Sequence, residues 1–110
     1  MKEISQTEHF DSIIQNNKDV YLMFFKHSTR CPISWSVKKE VDAFLKNHPQ
    51  YLEHTYLINV IDSKNLSNYI AEKTKIKHES PQIIIMKDNS VIAHFSHLSI
   101  TENKILEHLK

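Results

Sequence analysis

Hydrophobic and polar positions change their period several times along this chain, and each change marks an element. Phe10, Ile13 and Ile14 recur at helical spacing, and Ser5-Gln6-Thr7-Glu8 ahead of them has the spacing of a capping box. Together they predict a first helix that stops at Asn16-Asn17. Val20 to Phe25 is a nearly continuous apolar run, which suits a strand buried on both faces. Pro32 fits the first turn of a helix whose Val37, Val41, Phe44 and Leu45 share one face, with His48-Pro49 ending it. Tyr56 to Ile61 predicts a second strand, and Leu66, Tyr69 and Ile70 a short helix running to about Lys75. Beyond Pro81, Ile83 to Met86 and Val91 to Phe95 predict two more strands around Lys87-Asp88-Asn89-Ser90. The chain contains no glycine, and Asp88 and Asn89 can supply the positive φ angles that a tight hairpin wants. Ser99 and Glu102 repeat the capping-box spacing before a last helix with Ile105, Leu106 and Leu109 inward.

The order is helix, then strand–helix–strand, then a short helix, a hairpin and a final helix. A helix between two buried strands makes a parallel pair by right-handed crossover, and the hairpin adds two strands. The expected fold class is α/β: a four-stranded mixed sheet flanked by helices, with an N-terminal helix. The 110 residues form one domain, 1–110, long enough to bury about two-thirds of the unfolded surface. There is no repeat, low-complexity tract or linker.

Composition narrows the function. A formal net charge of +1 gives no electrostatic case for nucleic acid or an anionic membrane. No apolar run approaches the ~18–20 residues that span a bilayer, and the start, MKEISQTEHF, is too polar for a signal peptide. A single cysteine suits a reducing, cytoplasmic setting. The eight histidines are scattered, and neither a CxxC nor an HxxxH spacing exists, so no metal site is expected. Nothing signals an interface, and a monomer is expected.

The only arginine, Arg30, directly precedes the only cysteine, Cys31, where a buried strand gives way to the helix begun by Pro32. Unpaired amides and partial positive charge at a helix N-terminus favour a thiolate over a thiol, and the thiolate is the nucleophile. Arg30 adds a full positive charge, and His27 is a second candidate. Ser34 follows Cys31 by roughly one turn, within reach of a hydrogen bond to the sulfur. Dithiol redox motifs carry their second cysteine at that position. Here the site is Cys-Pro-Ile-Ser, so a mixed disulfide on Cys31 has to be resolved by an outside thiol. The plain alternative is a buried, inert cysteine.

His27-Ser28-Thr29-Arg30-Cys31-Pro32-Ile33-Ser34, with Lys77-His78-Glu79-Ser80-Pro81-Gln82 some fifty residues on, resembles the YtxJ-like monothiol bacilliredoxins over nearly the whole chain. The resemblance implies a thioredoxin-like fold and a thiol-disulfide oxidoreductase that removes bacillithiol, a cysteinyl-glucosamine-malate thiol, from protein cysteines under oxidative stress. Cys31 would be the catalytic nucleophile. Thr29, Arg30, Pro32, Ser34, Ser80 and Pro81 would bind substrate, with Ser80-Pro81 cis, Ser80 pairing with an extended substrate and Pro81 shaping the groove. No cofactor would be tightly bound. Bacillithiol would be the thiol co-substrate, S-bacillithiolated proteins the clients, and a flavoprotein disulfide reductase a further partner. Glutaredoxins resemble one another in a Gly-Gly loop that holds the carboxylate of glutathione; here the equivalent Ser96-His97-Leu98-Ser99 has no glycine, which disfavours glutathione. The malate of bacillithiol carries two carboxylates, and a guanidinium binds a carboxylate bidentately, which offers a role for Arg30.

Two other functions fit the same residues. In one, two chains hold an iron–sulfur cluster through Cys31 and a small thiol, as C-x-x-S glutaredoxins do; colour and acid-labile sulfide would reveal it. In the other, the domain is a thioredoxin-like interaction module with an idle Cys31. Trp35, the only tryptophan, either edges a partner surface or caps the core.

Overall fold

The structure, a computed structural model, describes residues 1–109. Five strands and four α-helices follow one another as β1 (Lys2–Glu3), α1 (Thr7–Asn16), β2 (Leu22–His27), α2 (Pro32–Asn47), β3 (Thr55–Asn59), α3 (Lys64–Thr74), β4 (Gln82–Lys87), β5 (Ser90–Ser96) and α4 (Glu102–Glu107). The sheet order is β1-β3-β2-β4-β5. β1 and β2 both run parallel to β3, whereas β4 is antiparallel to β2 and β5 to β4. The sheet therefore has five strands rather than four. The additional one, β1, is two residues long and pairs at Lys2↔Tyr56 and Glu3↔Leu57. Both of its side chains are exposed, so it carries no apolar alternation by which the sequence could have announced it.

Period-two alternation along β2 sends its side chains to opposite faces of the sheet. Leu22 and Phe24 join Phe10, Ile13 and Ile14 of α1 and Leu66 and Ile70 of α3 in one core. Met23 and Phe25 join Val37, Val41 and Phe44 of α2 and Ile105 of α4 in the other. All six residues of β2 are buried, including Lys26 and His27 at its C-terminal end.

Helix and turn signals came out unevenly. The β4–β5 hairpin turns at Asp88 and Asn89, with φ of 51° and 64°, the two consecutive left-handed residues expected in a chain without glycine. Neither predicted capping box forms. Gln6 is the N-cap of α1 and makes no side-chain cap, while the Thr7 hydroxyl donates to Glu8 at 3.1 Å. At α4 the cap is Thr101, whose Oγ1 accepts from the Lys104 amide at 3.2 Å. Ser99 lies in a single 3-10 turn, His97–Ser99, and donates to the Ser96 carbonyl at 2.6 Å.

Candidate active site

β2 is central and buried, and its C-terminal end delivers the chain into a β-turn, Ser28 to Cys31, closed by the Cys31 amide on the Ser28 carbonyl at 3.3 Å. Cys31 is the N-cap of α2 in extended conformation (φ −112°, ψ 117°), and Pro32 occupies the first helical position, where a missing N–H costs nothing. The Cys31 carbonyl accepts from the Ser34 and Trp35 amides at 3.1 and 3.4 Å, as an N-cap carbonyl does. The thiol is partly exposed and free. It sits at the positive end of a helix of 16 residues with no acidic residue in its first turn. Arg30 and Thr29 are exposed in the turn, and among the described residues Arg30 makes no ion pair.

Ser34 departs from expectation. It is fully buried, and its hydroxyl is engaged with His27 Nδ1 at 2.6 Å and with the Ser28 amide at 3.0 Å, not with the sulfur. The Ser28 amide can only donate, so Ser34 Oγ accepts from it, and the contact with His27 Nδ1 is a second hydrogen bond at the same oxygen. A fully buried side chain with both bonds made inside the fold has no surface to offer a substrate. His27 departs as well. It is 2% exposed, and burial, followed by the charge of Lys38, holds its pKa below the usual histidine range against the opposing pull of Asp42. At neutral pH it is an uncharged imidazole, not a second cation beside Cys31. Trp35 is exposed, packs edge-on against His27 with centroids 4.6 Å apart, and donates from Nε1 to the Thr29 carbonyl at 3.0 Å. It thereby fastens the 28–31 turn from outside.

The second sequence segment reaches the same end of the sheet. β2 and β4 pair as Phe25↔Ile83 and Lys26↔Gln82, and continuing that register sets Pro81 across from His27. The Ser80-Pro81 bond is cis. The His97 amide donates to the Pro81 carbonyl at 2.9 Å, so the turn after β5 lies against this bond. Ile33 and Leu98, 43% and 70% exposed, leave apolar side chains uncovered on the two sides.

Three residues absent from the sequence-derived site lie just beneath. Lys26 Nζ donates to the Ser67 carbonyl at 3.0 Å and to His78 Nδ1 at 3.2 Å, and Ser67 Oγ is 3.1 Å from the same nitrogen. The only hint in the sequence is a lysine placed directly after an apolar run. That pattern more often means a strand has ended.

The chain matches a family model described as Monothiol bacilliredoxin BrxC over residues 2–105. It belongs to the monothiol bacilliredoxin family. A solved structure described as having a thioredoxin fold aligns over 99% of this chain and 93% of its own, at 29% identity and a TM-score of 0.89. Fasciola hepatica thioredoxin aligns over 99% and 96%, at 18% identity and a TM-score of 0.77. Mitochondrial thioredoxin 3 from Saccharomyces cerevisiae aligns over 99% and 92%, at 14% identity and a TM-score of 0.73. The fold is that of thioredoxin, and bacilliredoxin family and fold together support a thiol redox role.

Proposed function

We propose that the protein removes bacillithiol from S-bacillithiolated protein cysteines, with Cys31 as the sole nucleophile. The observation that carries this is the lone Cys31 at the N-cap of α2, in a chain that matches the bacilliredoxin family, with Ser34 where a resolving thiol would stand.

The Cys31 thiolate attacks the bacillithiol sulfur of the mixed disulfide. A Cys31–bacillithiol bond forms, the client–bacillithiol bond breaks, and the client leaves as a thiolate that takes a proton from solvent. No electrons are gained or lost overall. A second bacillithiol thiolate then attacks the adduct, regenerates Cys31 and departs as bacillithiol disulfide, left for a flavoprotein disulfide reductase. Cys31 leads into α2 with Arg30 beside it, and the exposed guanidinium is free to take a malate carboxylate bidentately.

Intact-protein mass spectrometry after incubation with bacillithiol disulfide or glutathione disulfide tests this, with Cys31→Ser as the blank. The bacillithiol adduct should form faster than the glutathione adduct and persist until bacillithiol is added. Arg30→Ala should slow the bacillithiol reaction selectively, by about fivefold for an exposed ion pair, and Arg30→Lys should recover only part of it. Equal labelling by both disulfides would remove the bacillithiol assignment and leave a general thiol exchanger.

A further inference from the structure

The segment from Lys75 to Ser80, which leads into the cis bond beside the site, has no regular secondary structure. Its course is set by side chains from the sheet, and three consecutive residues are each tied by a different strand. Gln82 of β4 donates from Nε2 to the Lys77 carbonyl at 3.0 Å. Lys26 of β2 donates to His78 Nδ1 at 3.2 Å. Ser96 of β5 donates to Glu79 Oε1 at 3.1 Å. Lys26 and Gln82 are direct cross-strand partners, so their side chains rise from the same face of the sheet, the face covered by α1 and α3.

Lys26 is the anomalous member. A fully buried ammonium normally has a carboxylate partner, yet the groups around Lys26 are the Ser67 carbonyl of α3, the imidazole of His78 and the neutral Gln82. Glu79, the nearest carboxylate in the segment, is turned to Ser96 and His97. Burial accordingly pushes the Lys26 pKa down from 10.5 to about 8. An ammonium carries only donors, so His78 Nδ1 must be unprotonated. Partial burial, then Lys26, hold the His78 pKa below the usual range, against Glu79, in keeping with a neutral ring. A leucine or methionine would fill this position in β2 without the desolvation cost. What the lysine adds is one group that grips α3 and the segment before Pro81 together.

We propose that Lys26 is a positioning residue: by holding the Ser67 carbonyl and His78 it sets the backbone edge at Ser80-Pro81 against which the polypeptide of a disulfide-bonded partner docks, and so acts on protein substrates rather than on the thiol chemistry itself. This rests on the exchange activity proposed for Cys31 and deepens it by assigning recognition of the polypeptide part to the β2–His78 contact. A compact disulfide that touches only the sulfur does not use that edge. An extended peptide does.

The experiment compares two disulfides with the same leaving group. One is dithiobis(nitrobenzoate), and the other a short peptide whose one cysteine is disulfide-bonded to thionitrobenzoate. In both, the Cys31 thiolate attacks the sulfur joined to thionitrobenzoate, a disulfide from Cys31 to that sulfur forms as the old one breaks, and the coloured thionitrobenzoate thiolate is released. Lys26→Met keeps the apolar stem and removes the ammonium. It should slow the peptide reaction about tenfold, a typical cost of displacing a positioning element, and leave the compact one within about twofold. His78→Ala, at an exposed position and with Lys26 still bonded to the Ser67 carbonyl, should reproduce the selective loss, and the double variant should be no worse than either single one. Equal slowing of both disulfides in His78→Ala, no slowing of either, or additive losses in the double variant would overturn the proposal. Failure of wild-type Cys31 to react with either disulfide would instead overturn the exchange activity itself.

Discussion

Ser34 is the residue whose meaning the structure changes most. Its place three residues after Cys31 suggests a hydroxyl aimed at the sulfur, but a helix N-terminus also offers that position an inward route. Ser34 takes it and satisfies two buried groups at once, His27 Nδ1 and the Ser28 amide. A side chain that fills both roles positions the 28–31 turn and holds the His27 ring beside it. Removing the hydroxyl leaves the buried His27 Nδ1 and the part-buried Ser28 amide without this partner. Ser34→Ala should therefore lower unfolding free energy by about 1–3 kcal/mol in urea titration at pH 7. A loss below about 0.5 kcal/mol would mean that neither bond matters. Which way Ser34 points was not legible in the sequence, because rotamer choice depends on what fills the space beneath the helix. Here that is His27, a residue the sequence presents only as a possible cation.

Elements were legible where apolar residues recur and illegible where the backbone alone does the work. The long runs in β2 and β4 and the stripe on α2 announced themselves, since burial demanded them. β1 did not, because a two-residue edge strand needs only backbone pairing with β3. The capping boxes failed for a related reason: Ser/Thr-x-x-Glu spacing is common, and the first helical residue is fixed by where the preceding chain leaves the sheet. Before α4, β5 is followed by a 3-10 turn that consumes Ser99, so the helix starts two residues later than the spacing suggests and Thr101 caps it. Thr101→Ala should then cost about 1 kcal/mol of stability. Ser99→Ala should stay within about 0.5 kcal/mol, as surface substitutions do. Thermal or urea unfolding of the pair decides between the two caps; a larger cost at Ser99 would reverse the assignment.

At the scale of the molecule, the parallel pair β2–β3 and the antiparallel pair β2–β4 bring two segments some fifty residues apart to one end of the sheet. One segment carries the sulfur and the other the cis peptide bond, and the turn after β5 ties to both Pro81 and Glu79. The candidate nucleophile and its surroundings could be named from sequence because they form two short, distinctive motifs. The buried Lys26–His78 support could not, since its partners come from β2, α3 and the segment before β4, and only the folded topology places them together. In the function proposed here, a single sulfur accepts bacillithiol and cannot shed it unaided. This is tested most directly by mixing the reduced protein with a peptide that carries bacillithiol on its one cysteine, and following both species by mass spectrometry. Each chain should gain one bacillithiol on Cys31 as one peptide thiol is freed, and the reaction should halt there until bacillithiol is supplied. Peptide release with no adduct on Cys31, or turnover that continues without an outside thiol, would contradict it.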